Sequence, residues 1–173
     1  MIQHIEALEL RLCRGLNRHL ALAGVRQLFT AVSRLGDGIL WYALIVAMPL
    51  LSRSADPTPA LQMALTGMVA TAIHAVLKSS LARDRPFVTS PSIACGVEPL
   101  DRYSFPSGHT LHATCFTAIA THYVPALAWV LVPFTLLVMA SRVILGLHYP
   151  SDVAAGAILG LALAVASLAL FGI

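Results

Sequence analysis

The sequence predicts an all-α membrane protein, a polytopic helix bundle with about five transmembrane helices and amphipathic interfacial helices at its N-terminus. Of the 173 residues, 58% are apolar and only 11% are charged, whereas a soluble domain carries about 25% charged residues. Long stretches of the chain contain no charged residue at all. The net charge of +3 is not concentrated in any basic run, so nucleic-acid binding is not expected.

Residues 1–35 predict two amphipathic helices and not a span. Apolar side chains recur at spacings of three and four, which places them on one face of a helix. The first stripe is Ile2, Ile5, Leu8, Leu12 and Leu16, and the second is Leu22, Val25, Leu28, Val32 and Leu35. We interpret both helices as interfacial, with two alternatives left open: the stripes pack against the bundle, or they bind the membrane surface. The remaining residues, 36–173, form the predicted transmembrane domain.

Four uncharged stretches predict the five spans. A hydrocarbon core about 30 Å thick requires about 20 helical residues. Residues 57–77 and 153–173 each meet this length, and residues 103–141 suffice for two spans joined by a hairpin near residues 122–125. Residues 38–52 form a shorter stretch, which spans the core only with aromatic residues at one interface and a snorkelling arginine at the other.

Tracing these spans alternately across the membrane brings polar residues from four segments to one face. Charged side chains at this depth are costly unless they are paired, hydrated or directed into a cavity. Snorkelling explains any single cation but not the histidines or the aspartate, so the set predicts a site. Its members are Lys78, Arg85, Ser107, Gly108, His109, Arg142, His148 and Asp152.

The spacing of these residues is suited to an anion. Lys78 and Arg85 are separated by about two helical turns, so both can face one ligand. Ser107 is a candidate N-cap, and Gly108 lets a ligand approach the backbone at a helix start, where phosphate binds favourably. Arg142 adds a third cation. His148 and Asp152 add an imidazole and a carboxylate that can orient it.

Together the three segments resemble the signature of the type 2 phosphatidic acid phosphatase family. This family includes bacterial phosphatidylglycerophosphate, undecaprenyl pyrophosphate and lipid A phosphatases and is similar to vanadium haloperoxidases. The matching segments are Lys78 to Pro86, Pro106 to His109, and Ser141 to Asp152. The resemblance extends from residue 36 to about residue 170. It departs at the N-terminus, where many members have a sixth span.

The resemblance implies a mechanism for the predicted site. His148 would attack phosphorus and form a phosphohistidine, Asp152 would hold its ring, and His109 would protonate the leaving group. No metal or other cofactor is expected, and the three scattered cysteines predict neither a disulfide framework nor a metal site. The residues expected to bind the phosphoryl oxygens are Lys78, Arg85, Ser107, Gly108 and Arg142.

The predicted function is metal-independent hydrolysis of a phosphomonoester or diphosphate of a lipid within the bilayer. Undecaprenyl pyrophosphate is the first candidate substrate, beside phosphatidylglycerophosphate and phosphatidic acid. Two alternatives remain open at this point: a lipid-to-lipid phosphotransferase, and a non-catalytic bundle that binds an anionic lipid.

The orientation of the site gives conflicting signals. Most basic residues fall on the site face, which by the positive-inside rule indicates the cytoplasm. The resemblance implies the outer leaflet of the bacterial cell membrane, and we expect that location because phosphate binding accounts for several of the cations.

Other polar residues receive structural interpretations. We expect Asp37 to cap the first span, His74 and His122 to be packing or interfacial residues, and His112 to pack or to support the site. The connection at residues 79–103 is a candidate to cover the site or to select the headgroup.

Overall fold

The computed structural model describes residues 2–52 and 56–172, and within these residues the regular secondary structure is helical. This confirms the predicted fold class. Two short 3₁₀ helices, Arg18–Ala21 and Pro125–Leu127, supplement the α-helices. The α-helices are α1 Ile2–Asn17, α2 Ala23–Gly36, α3 Ile39–Leu51, α4 Thr58–Leu81, α5 Pro86–Thr89, α6 Gly108–Tyr123, α7 Ala128–Ile144 and α8 Pro150–Leu170.

All five predicted spans are helices, but they differ in length. In the described part of the chain, three segments are long and apolar enough to cross a bilayer: Thr58–Thr89, Pro125–Ile144 and Pro150–Leu170. The pair α2 and α3 meets the same test together, with a bend of 50° between them. Helices α3 and α6 have 13 and 16 residues, fewer than the roughly 20 that a full crossing requires. A shorter α6 is compatible with its place inside the bundle, where protein and not lipid surrounds it.

The central helix of the bundle is α6, which contacts α4, α7 and α8. Its closest neighbour is α8, because two glycines of α8 let the backbones approach. A Cβ atom on Gly156 would lie 2.6 Å from the carbonyl oxygen of Ser107, and one on Gly160 would overlap the carbonyl oxygen of Leu111. Small residues at a helix interface of this kind are typical of packing in membranes.

The main apolar cluster of the described residues surrounds α6 and includes side chains of α3, α4 and α7. Trp41, Met48 and Met63 are buried there against Phe116 of α6. The Trp41 and Phe116 ring centroids are 5.7 Å apart, and the indole N–H of Trp41 donates to the carbonyl oxygen of Gly36 at 3.2 Å. This contact holds the end of α2 beside the start of α3.

A polar network joins α4, α6 and α8 within the bundle. The Gln62 amide donates to the Ser167 hydroxyl at 2.9 Å and accepts from the Tyr123 hydroxyl at 2.6 Å. The hydroxyls of Thr66 and Ser167 lie 2.7 Å apart. Because Gln62 is fully buried, these bonds satisfy an amide that would otherwise be costly in an apolar environment.

The described part of the apolar stripe of α1 faces outward, while the side chains of Ile2 and Ile5 lie outside the described residues. Leu8, Leu12 and Leu16 are 46%, 56% and 41% exposed, so packing of this stripe against the bundle, the first of the two alternatives, is wrong. The opposite face of α1 is buried and carries Glu9, Cys13 and Asn17. Its polar side chains bond to the connections of the bundle, which leaves the leucines available to lipid.

Asn17 shows how α1 is attached. Its amide donates to the carbonyl oxygens of Ala94 and Ile144 at 2.8 and 2.9 Å, and it accepts from the Ala94 N–H at 2.8 Å. One buried side chain therefore joins α1 to the connection before α6 and to the end of α7.

We expect Gly160→Ala to lower the melting temperature of the detergent-solubilised protein. The added methyl group would push α6 and α8 apart, and overpacking of this kind costs about 1–3 kcal/mol. Thermal unfolding followed by far-ultraviolet circular dichroism measures the effect. Gly24→Ala in α2 is the control, because a Cβ atom there meets nothing within 4 Å. Equal melting temperatures for Gly160→Ala and the wild type would contradict the close packing.

Candidate active site

A cavity of about 750 Å³ opens where α4 ends and α6 begins. Its polar end is lined by six of the eight predicted site residues. The cavity continues between α3, α4 and α6, where its walls are mainly apolar. The six residues at the polar end are Lys78, Arg85, Gly108, His109, Arg142 and His148.

Separate helix ends deliver these side chains. Lys78 lies in the last turn of α4 and Arg142 in the last turn of α7, while His109 follows the first residue of α6. Gly146 then reverses the chain after α7 with φ of 75°, a conformation that favours glycine. This turn places His148 beside the start of α8.

His148 is buried and its two ring nitrogens have different neighbours. Nε2 lies 3.3 Å from Arg85 Nη1, and Nδ1 lies 3.6 Å from Asp152 Oδ2. An arginine can only donate, so Nε2 accepts and the ring proton resides on Nδ1, which faces the carboxylate. Burial and the positive charges of Arg142 and Arg85 lower the pKa of His148 well below its ordinary value. The ring is therefore neutral near pH 7, and its unprotonated Nε2 faces Arg85, which lines the same cavity.

Asp152 lies behind His148 and does not line the cavity. It is fully buried, and its Oδ2 accepts from the Tyr149 N–H at 2.8 Å. Its Oδ1 accepts from Arg83 Nη1 at 2.7 Å. The carboxylate is held in place from two sides, as a residue that orients an imidazole requires.

Arg83 and Glu9 complete this support, and neither is among the predicted site residues. Arg83 bridges Asp152 and Glu9, and its Nη2 lies 2.8 Å from Glu9 Oε2. The other oxygen of Glu9 accepts from the Ser151 N–H at 2.8 Å. The guanidinium also stacks over the Tyr149 ring, 3.9 Å from its centroid. No local pattern marks Glu9, because its partner is 74 positions away in sequence.

Two of the three cations predicted to bind phosphate, Lys78 and Arg85, already hold a carboxylate, that of Asp101. Asp101 Oδ2 lies 2.7 Å from Lys78 Nζ, and Oδ1 lies 2.7 Å from Arg85 Nη2. Burial disfavours the ionised acid, but the hydrogen bond from Lys78 and the charges of Lys78 and Arg85 lower the pKa of Asp101 below its ordinary value. Asp101 is therefore a carboxylate at neutral pH.

Arg142 is the third cation of the cavity and is 3% exposed. Its Nη1 donates to the Ser33 hydroxyl of α2. Its Nε has no hydrogen-bond partner in the described part of the chain. A buried donor without a partner at the wall of a cavity is available to an anionic ligand.

His109 is paired with Asp37, which corrects the interpretation of Asp37 as a helix cap. The carboxylate of Asp37 contacts Nε2 of His109. The N-cap position of α3 is Gly38, with φ of 136° and no side-chain cap. The Gly-Asp-Gly turn between α2 and α3 thus supplies a partner for the histidine.

Ser107 and Gly108 have structural surroundings that the sequence does not indicate. Ser107 is the N-cap residue of α6, but its fully buried hydroxyl donates to Thr110 Oγ1 at 3.1 Å and does not line the cavity. A Cβ atom on Gly108 would lie 2.8 Å from Nε2 of His74. The glycine is required for the close approach of an imidazole, and not only for access by a ligand.

The remaining histidines divide between the cavity and the far end. His74 lines the cavity, with Nε2 at 3.4 Å from Lys78 Nζ, so it belongs to the site in addition to packing. His112 also lines the cavity, and its ring nitrogens lie near Gly108 O at 2.9 Å and Thr71 Oγ1 at 3.1 Å. His122 is exposed in the last turn of α6, as expected for an interfacial residue.

Known proteins share this fold and sequence pattern. The pattern of the PAP2 superfamily matches residues 59–172. A decaprenylphosphoryl-5-phosphoribose phosphatase of Mycolicibacterium smegmatis is 33% identical over 141 residues, covering 79% of this chain and 75% of the relative. An undecaprenyl-diphosphatase of Sulfolobus acidocaldarius is 28% identical over 141 residues, covering 80% and 67%. The crystal structure of Aquifex aeolicus LpxE is similar with a TM-score of 0.81 and 26% identity, covering 94% of this chain and 95% of that one.

We expect Arg83→Met to destabilise the protein strongly, because two buried carboxylates would lose their shared cation. Breaking a buried ion pair from one side costs about 3–5 kcal/mol. Thermal unfolding in detergent measures the loss, and Arg102→Met is the control because Arg102 is exposed.

A second substitution tests the bridge itself. Glu9→Gln should lower the melting temperature less in the Arg83→Met background than in the wild type, because the pair is already broken there. Additive effects of the two substitutions would show that Glu9 and Arg83 do not interact.

Proposed function

The chain belongs to the PAP2 superfamily and is a membrane lipid phosphatase, and on that premise we propose that it hydrolyses the terminal phosphate of a polyprenyl phosphate or diphosphate through a phosphohistidine. One observation carries the proposal: the imidazoles of His109 and His148 and three cations line the end of a single cavity whose other walls are mainly apolar. The polar end suits a phosphoryl group. The apolar part suits the lipid chain attached to it.

His148 is the proposed nucleophile. Its unprotonated Nε2 accepts from Arg85 Nη1, and when Arg85 turns that N–H to a phosphoryl oxygen, the freed lone pair would form the N–P bond while the bond from phosphorus to the leaving oxygen breaks. Asp152, near Nδ1, would stabilise the positive charge that develops on the ring. Lys78, Arg85 and Arg142 would neutralise the phosphoryl oxygens in the transition state.

His109 is the proposed proton donor to the leaving oxygen. In the second step it would accept a proton from the water that attacks the phosphohistidine, which releases orthophosphate and restores His148. Asp37 would fix the His109 ring through Nε2. These steps require no metal ion.

The polyprenyl chain is the finer part of the proposal. Two of the relatives described above are named as phosphatases of decaprenyl or undecaprenyl lipids. Helices α3 and α4 line the apolar part of the cavity with Trp41, Ile45 and Met63, a surface suited to a lipid chain. Phosphatidylglycerophosphate and phosphatidic acid present the same terminal phosphate, so direct comparison of these lipids decides the substrate.

We further propose that the site faces the outer leaflet of the bacterial cell membrane. The positive-inside rule counts lysines and arginines in short loops and near the ends of spans. Here Lys78, Arg83 and Arg85 are bound to carboxylates of the site, and Arg14 donates to Ser90 at 3.3 Å. These four basic residues therefore have local reasons for their positions, and they are weak evidence for a cytoplasmic site.

We expect the purified protein in mixed micelles to release orthophosphate from lipid phosphates in the presence of a chelator. The panel compares undecaprenyl diphosphate, undecaprenyl phosphate, phosphatidylglycerophosphate and phosphatidic acid. His148→Ala should abolish turnover, and Asp152→Asn should lower kcat by roughly a hundredfold or more because the ring loses its orienting charge.

His122→Ala is the matched control, since this histidine is exposed at the far end of α6, and it should retain wild-type rates. Near-normal turnover by His148→Ala would remove that residue as the nucleophile. Transfer of the phosphoryl group to a lipid hydroxyl in place of water would identify a phosphotransferase. Absence of both reactions, with lipid still bound, would indicate a binding protein.

Cys95 provides a test of orientation. It is exposed in the connection before α6, whereas Cys13 and Cys115 are buried. We expect a membrane-impermeant maleimide to label Cys95 in intact spheroplasts, with Cys95→Ser as the unlabelled control. Labelling only after lysis would place the site on the cytoplasmic face.

A further inference from the structure

Asp101 occupies the position where the proposed reaction requires a phosphoryl group. Its two carboxylate oxygens take one hydrogen bond each from Lys78 and Arg85, both at 2.7 Å. Arg85 Nε also donates to the Asp101 carbonyl oxygen at 3.3 Å. The carboxylate thus places one oxygen on each of the two cations, and two oxygens of a phosphate would adopt the same arrangement. A substrate phosphate that uses both cations must therefore displace this carboxylate.

The carboxylate is the partner that can leave. Its side chain is 39% exposed, whereas the side chains of Lys78 and Arg85 are 9% and 2% exposed. The connection that carries it is attached on both sides: the Gly96 N–H donates to Leu145 O at 3.0 Å, and the Ser104 N–H donates to Arg83 O at 2.8 Å. Displacement therefore requires movement of the Asp101 side chain and of the short segment around it, while the cations stay in place.

The charge of the incoming group decides whether displacement is favourable. A phosphodiester carries one negative charge, as the carboxylate does, so the exchange brings no added attraction to the three cations. A terminal phosphate carries about −1.5 to −2 at neutral pH, and its extra charge is attracted by Lys78, Arg85 and Arg142. Most of the phosphate groups at a membrane surface are phosphodiesters of ordinary phospholipids.

Building on the proposed function, we propose that Asp101 determines specificity by competing for Lys78 and Arg85, so that dianionic terminal phosphates enter and monoanionic phosphodiester lipids are excluded. Free terminal phosphates and diphosphates at the end of a lipid are the class that displaces it. Bulk phospholipids, which surround the cavity at far higher concentration, do not displace the Asp101 carboxylate.

The test measures inhibition by a phosphodiester lipid. Hydrolysis of an accepted lipid phosphate is followed in mixed micelles as phosphatidylglycerol replaces neutral detergent at constant total concentration. We expect wild-type turnover to be nearly insensitive to phosphatidylglycerol. In Asp101→Asn the apparent KM should rise with phosphatidylglycerol, with an inhibition constant roughly tenfold or more below that of the wild type.

Two further variants separate competition from a structural effect. Asp101→Glu retains the charge and should retain the resistance. Glu98→Gln removes the same charge from an exposed position of the same connection and should behave as the wild type. A general loss of folding would instead reduce kcat in the absence of phosphatidylglycerol, which melting temperatures of all variants would reveal.

The outcomes distinguish this inference from the proposed function. Hydrolysis of no lipid phosphate by the wild type overturns the proposed function and this inference with it. Hydrolysis with equal phosphatidylglycerol inhibition in the wild type and Asp101→Asn overturns only the inference. Equal sensitivity of Glu98→Gln and Asp101→Asn would show that net charge at the surface, and not occupation of the two cations, is responsible.

Discussion

The structure depends on charge compensation at one buried end of the bundle. Cations removed from water are costly unless opposite charges accompany them. Here each carboxylate that approaches the site comes from a different part of the chain. The carboxylates are those of Glu9, Asp37, Asp101 and Asp152.

This constraint explains how the irregular segments are arranged. Glu9 attaches α1 to Arg83 and, through it, to the carboxylate behind His148. Asp37 attaches the turn between α2 and α3 to His109, and Asp101 attaches the long connection before α6 to Lys78 and Arg85. The N-terminal helices are therefore part of the support of the site, although the family pattern begins only at residue 59.

The carboxylates that compensate these cations differ in how deeply they are buried. Asp152 is fully buried and held by Arg83 and a backbone N–H, so its position is fixed in the way an orienting group must be. Asp101 is partly exposed, whereas Lys78 and Arg85, the two cations that it contacts, are buried. One carboxylate is thus a permanent part of the framework, and the other is placed where a competing anion can exchange with it.

Sequence alone determined the helical class, the positions of the apolar segments and six of the residues at the polar end of the cavity. These follow from local properties: the absence of charge over a length sufficient to cross lipid, and spacings that place side chains near helix ends. Lys78, Arg85, His109, Arg142 and His148 line one cavity as those spacings indicate.

Tertiary structure alone decided which carboxylates pair with the basic residues of the site and which way α1 faces. Glu9 and Arg83 are 74 positions apart, and Asp37 and His109 are 72 apart, so no local pattern connects them. The stripe of α1 is a local feature, but lipid and protein are both apolar, and hydrophobic periodicity does not distinguish which of them a stripe will contact. Polar contacts of Glu9 and Asn17 made that choice, because buried hydrogen-bonding groups require specific partners and apolar ones do not.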